Sequence, residues 1–286
     1  MKPPFSYYGG KQRIVSKIIP HIPPHAVYVE PFCGGATVLF QKGLPNTTDS
    51  SSYRETINDM NGDVVNFFRV LRDDGEELCR RLSMTLYSRE EHHDAVAIDS
   101  DAPPIDRACA FFVNISQSFS NILSGAWGVG KHGRSLSATW KNRVDRLPEY
   151  IDRMRSIHIE NKDALKVIKQ WDAPQTFFYI DPPYPDTDCG HYGGYTRDDF
   201  SALVEVLKTI QGSFILSCYP QEWIELPWKY FDFETAMSAV GGKNSKAANT
   251  NRVERIWVHY TDADPLARLT SKTDAAKIRA MYNGGQ

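Results

Sequence analysis

The run Thr176–Ile180 (TFFYI), followed by Asp181, Pro182, Pro183 and Tyr184, constrains this chain more than any other stretch. Apolar, aromatic and branched residues without polar alternation suit a strand buried on both faces, the pattern of a parallel sheet. Two successive prolines remove two backbone donors and hold the chain extended. Open α/β sheets place their ligands at the carboxyl ends of such strands. There the Asp181 carboxylate and the Pro182 carbonyl offer two acceptors side by side, and Tyr184 offers a flat face. Two acceptors and a ring suit a planar substrate with an exocyclic amino group. Taken alone, the four residues read as a turn leaving a strand.

Three further segments change that reading. Tyr28 to Phe40 has the pattern of a strand, a glycine turn and a helix, with Glu30, Phe32, Cys33, Gly34 and Gly35 at the turn. Glycine there lets the backbone approach a ligand closely, although the full dinucleotide fingerprint is missing. Thr56 to Asn61 sets Asp59 at the end of a second strand, where a carboxylate can accept from both ribose hydroxyls. Tyr7, Tyr8, Gly9, Gly10 and Lys11 form the fourth element.

In this order the segments resemble the Dam-type (D12 class, alpha-group) DNA adenine-N6 methyltransferases over most of residues 5–260. The resemblance implies an α/β fold: a Rossmann-like S-adenosylmethionine-dependent methyltransferase sheet with an inserted, mainly helical target-recognition domain. The implied division is 1–71 and 157–262 for the cofactor-binding catalytic domain, 72–156 for DNA recognition, and a C-terminal tail at 263–286. It implies S-adenosylmethionine as cofactor, held by Tyr7, Gly10, Lys11, Glu30, Phe32, Cys33, Gly34, Gly35 and Asp59. Asp163 stands where the family often contacts the cofactor's adenine edge, and it equally suits the cap of the helix that follows. Tyr7 occupies a position that is often Trp in the family.

The catalytic set carried over is Asp181, Pro182, Pro183 and Tyr184. Adenine N6 is a poor nucleophile because its lone pair is delocalised into the ring. Two acceptors for its protons draw the nitrogen toward tetrahedral geometry, so the enzyme supplies position and electrostatics. That geometry is out of reach inside a duplex, so the base must flip out and rest on Tyr184, a stacking contact worth about 1–3 kcal/mol. Asp at position 181 and the N-terminal Gly-Gly-Lys favour adenine in DNA over cytosine N4, RNA or a protein glutamine. Intact motifs argue against a silent nucleic-acid-binding subunit.

The segment 112–127 resembles the family's DNA-contacting stretch. Asn121, with Ser120 beside it, and Gln117 suit adenine edges, and Lys131, Arg134 and Arg143 suit guanine or phosphate. Phe119 is either a wedge that fills the hole left by the flipped base or a core residue. The recognised bases do not carry over, because the run departs from the family pattern at several positions.

Composition bounds the remainder. The 286 residues, 41% of them hydrophobic, suffice for one sizeable α/β domain with a smaller insertion. A net charge of −2 does not advertise a nucleic-acid binder, but such a footprint is local: residues 131–155 hold seven Lys or Arg against three acids. The five scattered cysteines lack metal spacing and read as free thiols in a reducing cytoplasm. No signal-peptide core and no membrane-spanning run is present. His21 and His25 flank prolines and read as surface turn residues. Double-stranded DNA is the implied partner, without a membrane, and a cognate restriction endonuclease fits the same reading.

The strand–helix pattern predicts helices over 12–20, 36–40, 63–71, 76–82, 88–97, 105–115, 162–170 and 198–210. Strands are predicted over 26–30, up to 58, 157–160, 176–180 and 213–217, with a closing hairpin of 231–238 and 253–260. Residues 44–53 read as loop, 116–140 as an irregular Gly-, Ser- and Asn-rich segment, and the tail after 262 as polar.

Overall fold

The computed structural model describes residues 1–43, 53–130, 133, 135–185, 194–235 and 252–261. The expected tail, most of the 44–53 loop and the tip of the closing hairpin lie outside these residues.

Five parallel strands form the body of the sheet: β1 (Val27–Glu30), β2 (Arg54–Asn58), β3 (Ile157–Glu160), β4 (Thr176–Ile180) and β5 (Ser213–Cys218). The hairpin strands β6 (Lys229–Thr235) and β7 (Arg252–His259) complete it, in the order β3-β2-β1-β4-β5-β7-β6. β7 runs antiparallel to both β5 and β6. The chain steps outward from β1 through β2 to β3, then returns to place β4 on the other side of β1. Strand order thus reverses at the β1/β4 pair, and the crevice beyond their carboxyl ends is where such sheets bind ligands. β1, β4 and β5 are buried along their whole length, as a sheet covered on both faces requires.

The helices are α1 (Val15–Ile18), α2 (Thr37–Lys42), α3 (Gly62–Asp73), α4 (Gly75–Met84), α5 (Arg89–Val96), α6 (Pro104–Gln117), α7 (Leu136–Asp145), α8 (Pro148–Arg155), α9 (Ala164–Trp171) and α10 (Arg197–Leu207). α1 is shorter than expected because Pro20 falls in the next turn, which tightens into a 3₁₀ turn at Ile19–His21. Sequence patterning missed α7 and α8. The Ser135 hydroxyl accepts from the Ala138 amide to start the first, and Pro148 opens the second.

α3 through α8 lie between β2 and β3. α3 packs on α6 and α8, and α5 packs on α6. Their apolar side chains, among them Leu78, Phe112, Trp140 and Met154, join those of the sheet in one continuous core. Phe67 on α3 is the junction: its ring stacks on Phe112 at 5.5 Å and meets Phe5, Phe68 and Phe111 within 5.2–5.8 Å. A second tie is ionic. Glu55 on β2 is buried between Lys42 at 2.5 Å and Arg153 of α8 at 2.5 Å. A carboxylate this deep is tolerated because two cations meet it.

One expectation fails here. His25 is not a surface residue: it is 1% exposed, its Nδ1 lies 2.7 Å from the Pro23 carbonyl and its Nε2 3.2 Å from the Tyr53 hydroxyl. The chain enters β1 directly after the prolines, and the ring fills space beside Tyr28, Tyr53 and Phe177. Burial and the nearby Lys42 push its pKa down to about 3, so it is neutral. Among the described residues no helix is long and apolar enough to cross a membrane.

Phe67→Ala should cost about 3–5 kcal/mol of unfolding free energy, because the fully buried ring contacts both the N-terminal segment and α6. Urea denaturation followed by circular dichroism reads it, and a loss below about 1 kcal/mol would show that the helices do not depend on this junction.

Candidate active site

The crevice is closed on one side by the glycine turn after β1. Gly34 has φ +46° and Ala36 has φ 51°, so the chain turns sharply into α2. The Gly34 amide donates to Asp59 Oδ2 at 2.8 Å, and the Asn61 amide donates to Asp59 Oδ1 at 2.9 Å. Asp59 thereby holds the end of β2 to the turn after β1. It is almost wholly buried, and burial pushes its pKa up while these backbone donors ease the shift. Asn58, which sequence reading passed over, ties the strand ends together: its amide donates to the Pro31 and Lys162 carbonyls, and its oxygen accepts from the Lys162 amide. An Asn at the end of the second strand, directly before Asp59, was the available signal.

Tyr7 lies over the turn. A Cβ on Gly34 would stand 2.8 Å from the Tyr7 ring, and one on Gly10 would stand 2.9 Å from the Tyr7 carbonyl. The Tyr7 hydroxyl accepts from the Asn61 side chain at 3.2 Å. Tyr7, Gly10, Gly34, Gly35 and Asp59 are therefore brought together. Cys33 is buried beside them, its amide bonded to the Asn58 carbonyl at 2.8 Å. Phe32 meets Tyr195 edge to face at 6.3 Å. The Tyr195 hydroxyl is buried and has no hydrogen-bond partner among the described residues.

Two predicted residues face elsewhere. Glu30 is turned into the core, where its Oε1 accepts from the Tyr28 hydroxyl at 2.6 Å and the Leu39 amide at 2.7 Å. Burial raises its pKa to about 8, against the lowering effect of both donors. Asp163 is exposed and caps α9, accepting from the Lys166 amide at 3.0 Å, the cap role its position allowed.

Opposite the glycine turn, a charged cluster fills the crevice floor. Lys11 Nζ lies 2.7 Å from Asp181 Oδ2 and 3.4 Å from Glu254 Oε1, with the lysine 5% exposed. The Tyr184 hydroxyl donates to Asp181 Oδ1 at 3.0 Å and also meets Glu254 Oε1 and, at 3.1 Å, Ser217 Oγ. Ser217 donates to Glu254 at 2.9 Å. Burial works against the Lys11 ammonium, but Asp181 and then Glu254 more than offset it, so its pKa ends above the usual lysine range. Burial raises Asp181 to about 6; Lys11 opposes that rise and Glu254 adds to it. The Tyr184 ring, 9% exposed, packs under Lys11 and against Tyr219 at 4.6 Å.

Ser217 and Glu254 had escaped the sequence reading. Glu254 alternates with Ile256 and Val258 along β7, so an acid on an otherwise apolar buried face was the signal.

The predicted DNA-contacting stretch spans the end of α6 and the turn after it. Phe119 is 56% exposed, which removes the core reading for it. It heads a turn in which Ser120, Asn121 and Ser124 all have left-handed backbone, with φ of 54–59°. Non-glycine residues rarely adopt that conformation, and the strain is held by bonds around the loop. Phe119 bonds the Ala126 carbonyl, Ser124 bonds the Asn114 side chain, and Arg143 braces Asn121 at 2.9 Å and the Ser116 carbonyl at 3.0 Å. Gln117 is corrected: it is fully buried, its oxygen accepts from the Ser88 amide and its nitrogen donates to the Leu86 carbonyl, so it meets no base edge. As the last residue of α6 it falls on that helix's inner face. Lys131 and Arg134 lie outside the described residues. Of the other basic residues in 131–155, Lys141, Arg146, Arg153 and Arg155 are paired with acids.

The family model for the D12 class N6 adenine-specific DNA methyltransferases matches residues 7–224. A type II methyltransferase of Lactococcus lactis subsp. cremoris, M1.LlaDCHI, is 24% identical over 216 residues, covering 69% of this chain and 72% of that protein. The type II methyltransferase M.MjaIII of Methanocaldococcus jannaschii is 24% identical over 229 residues (70% and 75%). M.CviBI of Paramecium bursaria Chlorella virus NC1A is 20% identical over 223 residues (76% and 82%).

Lys11→Met should raise the Asp181 midpoint above about 6 by roughly one pH unit or more, because its counter-charge is gone. Carboxyl ¹³C NMR titration measures this, and an unmoved midpoint would show that the ammonium does not pair with Asp181.

Proposed function

The chain belongs to the D12 class of N6 adenine-specific DNA methyltransferases, and from that premise we propose how its residues bind the methyl donor, the base and the DNA. The observation that carries the reading is Asp181: a carboxylate with its pKa raised to about 6, held at the carboxyl end of β4 beside the glycine turn.

S-adenosylmethionine would supply an electrophilic methyl group carried on a sulfonium, with a neutral thioether as the leaving group. The residues beside β1 fit such a group, since the unpartnered Tyr195 hydroxyl and the Phe32 ring offer a polar atom and an aromatic wall. Asp59 would take the ribose hydroxyls with the lone pairs its backbone donors leave free. Tyr7, Gly10, Gly34 and Gly35 shape the walls, while Cys33 and Glu30 support the turn from within. Asp163 acts through the start of α9.

Asp181 and the Pro182 carbonyl accept hydrogen bonds from the two N–H groups of the N6 amine, and Pro183 keeps that backbone extended. Tyr184, its hydroxyl anchored, forms the surface on which the flipped adenine rests. Water is excluded by the burial of the Lys11 cluster, which strengthens every charge interaction there.

Residues 72–156 would read the DNA. Phe119 stands exposed on a strained, braced turn, as a side chain that enters a base stack must. Ser120 and Asn121 share that turn, Arg143 stiffens it, and Lys131 and Arg134 add phosphate contacts. The relatives' type II setting suggests a cognate restriction endonuclease as partner, in the cytoplasm where DNA is accessible.

Incubation with S-adenosylmethionine and unmethylated genomic DNA, followed by modification-sensitive sequencing, tests the reading. N6-methyladenine in one short motif is expected, with Asp181→Ala lowering transfer by at least about a thousandfold and leaving cofactor binding intact. Near-normal turnover of that variant would remove Asp181 from the chemistry. Asp59→Ala should weaken cofactor affinity by about tenfold or more, since a lost hydrogen bond to a charged group costs on the order of 1.5–3 kcal/mol. Isothermal titration reads this, and an unchanged isotherm would exclude Asp59 from the site.

A further inference from the structure

Each carboxylate oxygen of Asp181 already has a donor. One of its oxygens meets Lys11 and the other accepts from Tyr184. Both of those donors also reach Glu254, which lies on β7, far along the chain from either. Glu254 is 6% exposed and is further fixed by the Ser217 hydroxyl at 2.9 Å. A buried carboxylate placed among exactly the donors that occupy a second carboxylate forms an exchange site for them.

We propose that Glu254 is a positioning residue for Asp181: it takes over the Tyr184 hydroxyl and shares the Lys11 ammonium, leaving Asp181 free to receive a proton from the N6 amine. This rests on the reading of Asp181 given above. The proton balance is simple. When the nitrogen lone pair forms the new N–C bond, nitrogen becomes cationic; its N–H pair returns to nitrogen and the proton joins an Asp181 oxygen. Before that step one ammonium faces two carboxylates. Afterwards Lys11 and Glu254 remain as a matched pair beside a neutral acid. Glu254 therefore opposes over-stabilisation of the Asp181 anion by Lys11, which would make Asp181 a poor acceptor.

The other titratable groups that act on Asp181 are Tyr184 on its own turn, Tyr179 on β4, Glu30 on β1 and Cys218 at the end of β5, while Tyr219 packs on Tyr184. Burial holds Tyr179, Tyr184 and Cys218 above their ordinary range and Glu30 at about 8, so they stay protonated near neutrality.

Glu254→Gln preserves size and an acceptor for Tyr184 but removes the charge. In the cofactor-free, DNA-free protein, carboxyl ¹³C NMR should show the Asp181 midpoint falling from about 6 by roughly one pH unit. Because transfer needs the ionised acceptor, the acid limb of the single-turnover rate should move to lower pH by the same amount. The plateau should fall about tenfold or more, with cofactor affinity changed less than about twofold. Glu254→Asp, which keeps the charge, should restore the midpoint. An unmoved midpoint overturns the proposal, and so does a moved midpoint with an unchanged plateau. Should thermal melts show the Gln variant unfolded, Glu254→Met replaces it under the same criteria. If the wild-type protein methylates no adenine, the functional reading fails on its own, while an NMR shift still establishes the exchange contact.

Discussion

One buried ammonium shared by two carboxylates is the constraint around which this molecule is organised. A lone charge as deep as Lys11 would lose most of its hydration without return, so it persists only where opposite charges meet it. Asp181 and Glu254 do so at 2.7 and 3.4 Å. The three groups come from the N-terminal segment, the end of β4 and the antiparallel β7. The closing hairpin is thus part of the site, because it delivers one of the carboxylates.

The same logic explains the glycine turn. Its Gly34 amide points at Asp59, and the turn can be that tight only because Gly34 lies under the Tyr7 ring with no side chain between. Asn58 then locks three strand ends into one rim. Rigid strands fix the acids, and short loops link them, which is how an open sheet holds a reactive geometry to within fractions of an ångström.

What could be read in the sequence followed from local physics. β3 and β4 fall where the apolar runs end, and Asp181 stands where two prolines forbid further pairing. Asp59 and the glycines were legible for the same reason. Gln117 and His25 were misjudged because polarity alone does not tell which way a side chain points; both proved to satisfy backbone or hydroxyl groups in the interior. α7 and α8 were hidden behind a run of basic residues, of which Lys141, Arg146 and Arg155 pair with acids on the same helix or the next and Arg153 reaches Glu55 on β2. Ser217 was out of reach, and Glu254 could be marked as an acid on an apolar strand face but not placed, because their partners depend on which strands become neighbours, and β7 inserts between β5 and β6 against chain order.

That insertion has a consequence for biosynthesis. A ribosome releases Lys11 and the glycine turn early, β4 later, and Glu254 only after β6 has emerged. The strand that carries it cannot dock until β5 is in place to receive its edge. Until then the nascent sheet exposes the β5 margin and leaves Lys11 with one of its two carboxylate partners, so the charged cluster is complete only once β7 has docked. Translation products that stop before β7 would carry every recognisable motif and still lack a finished centre.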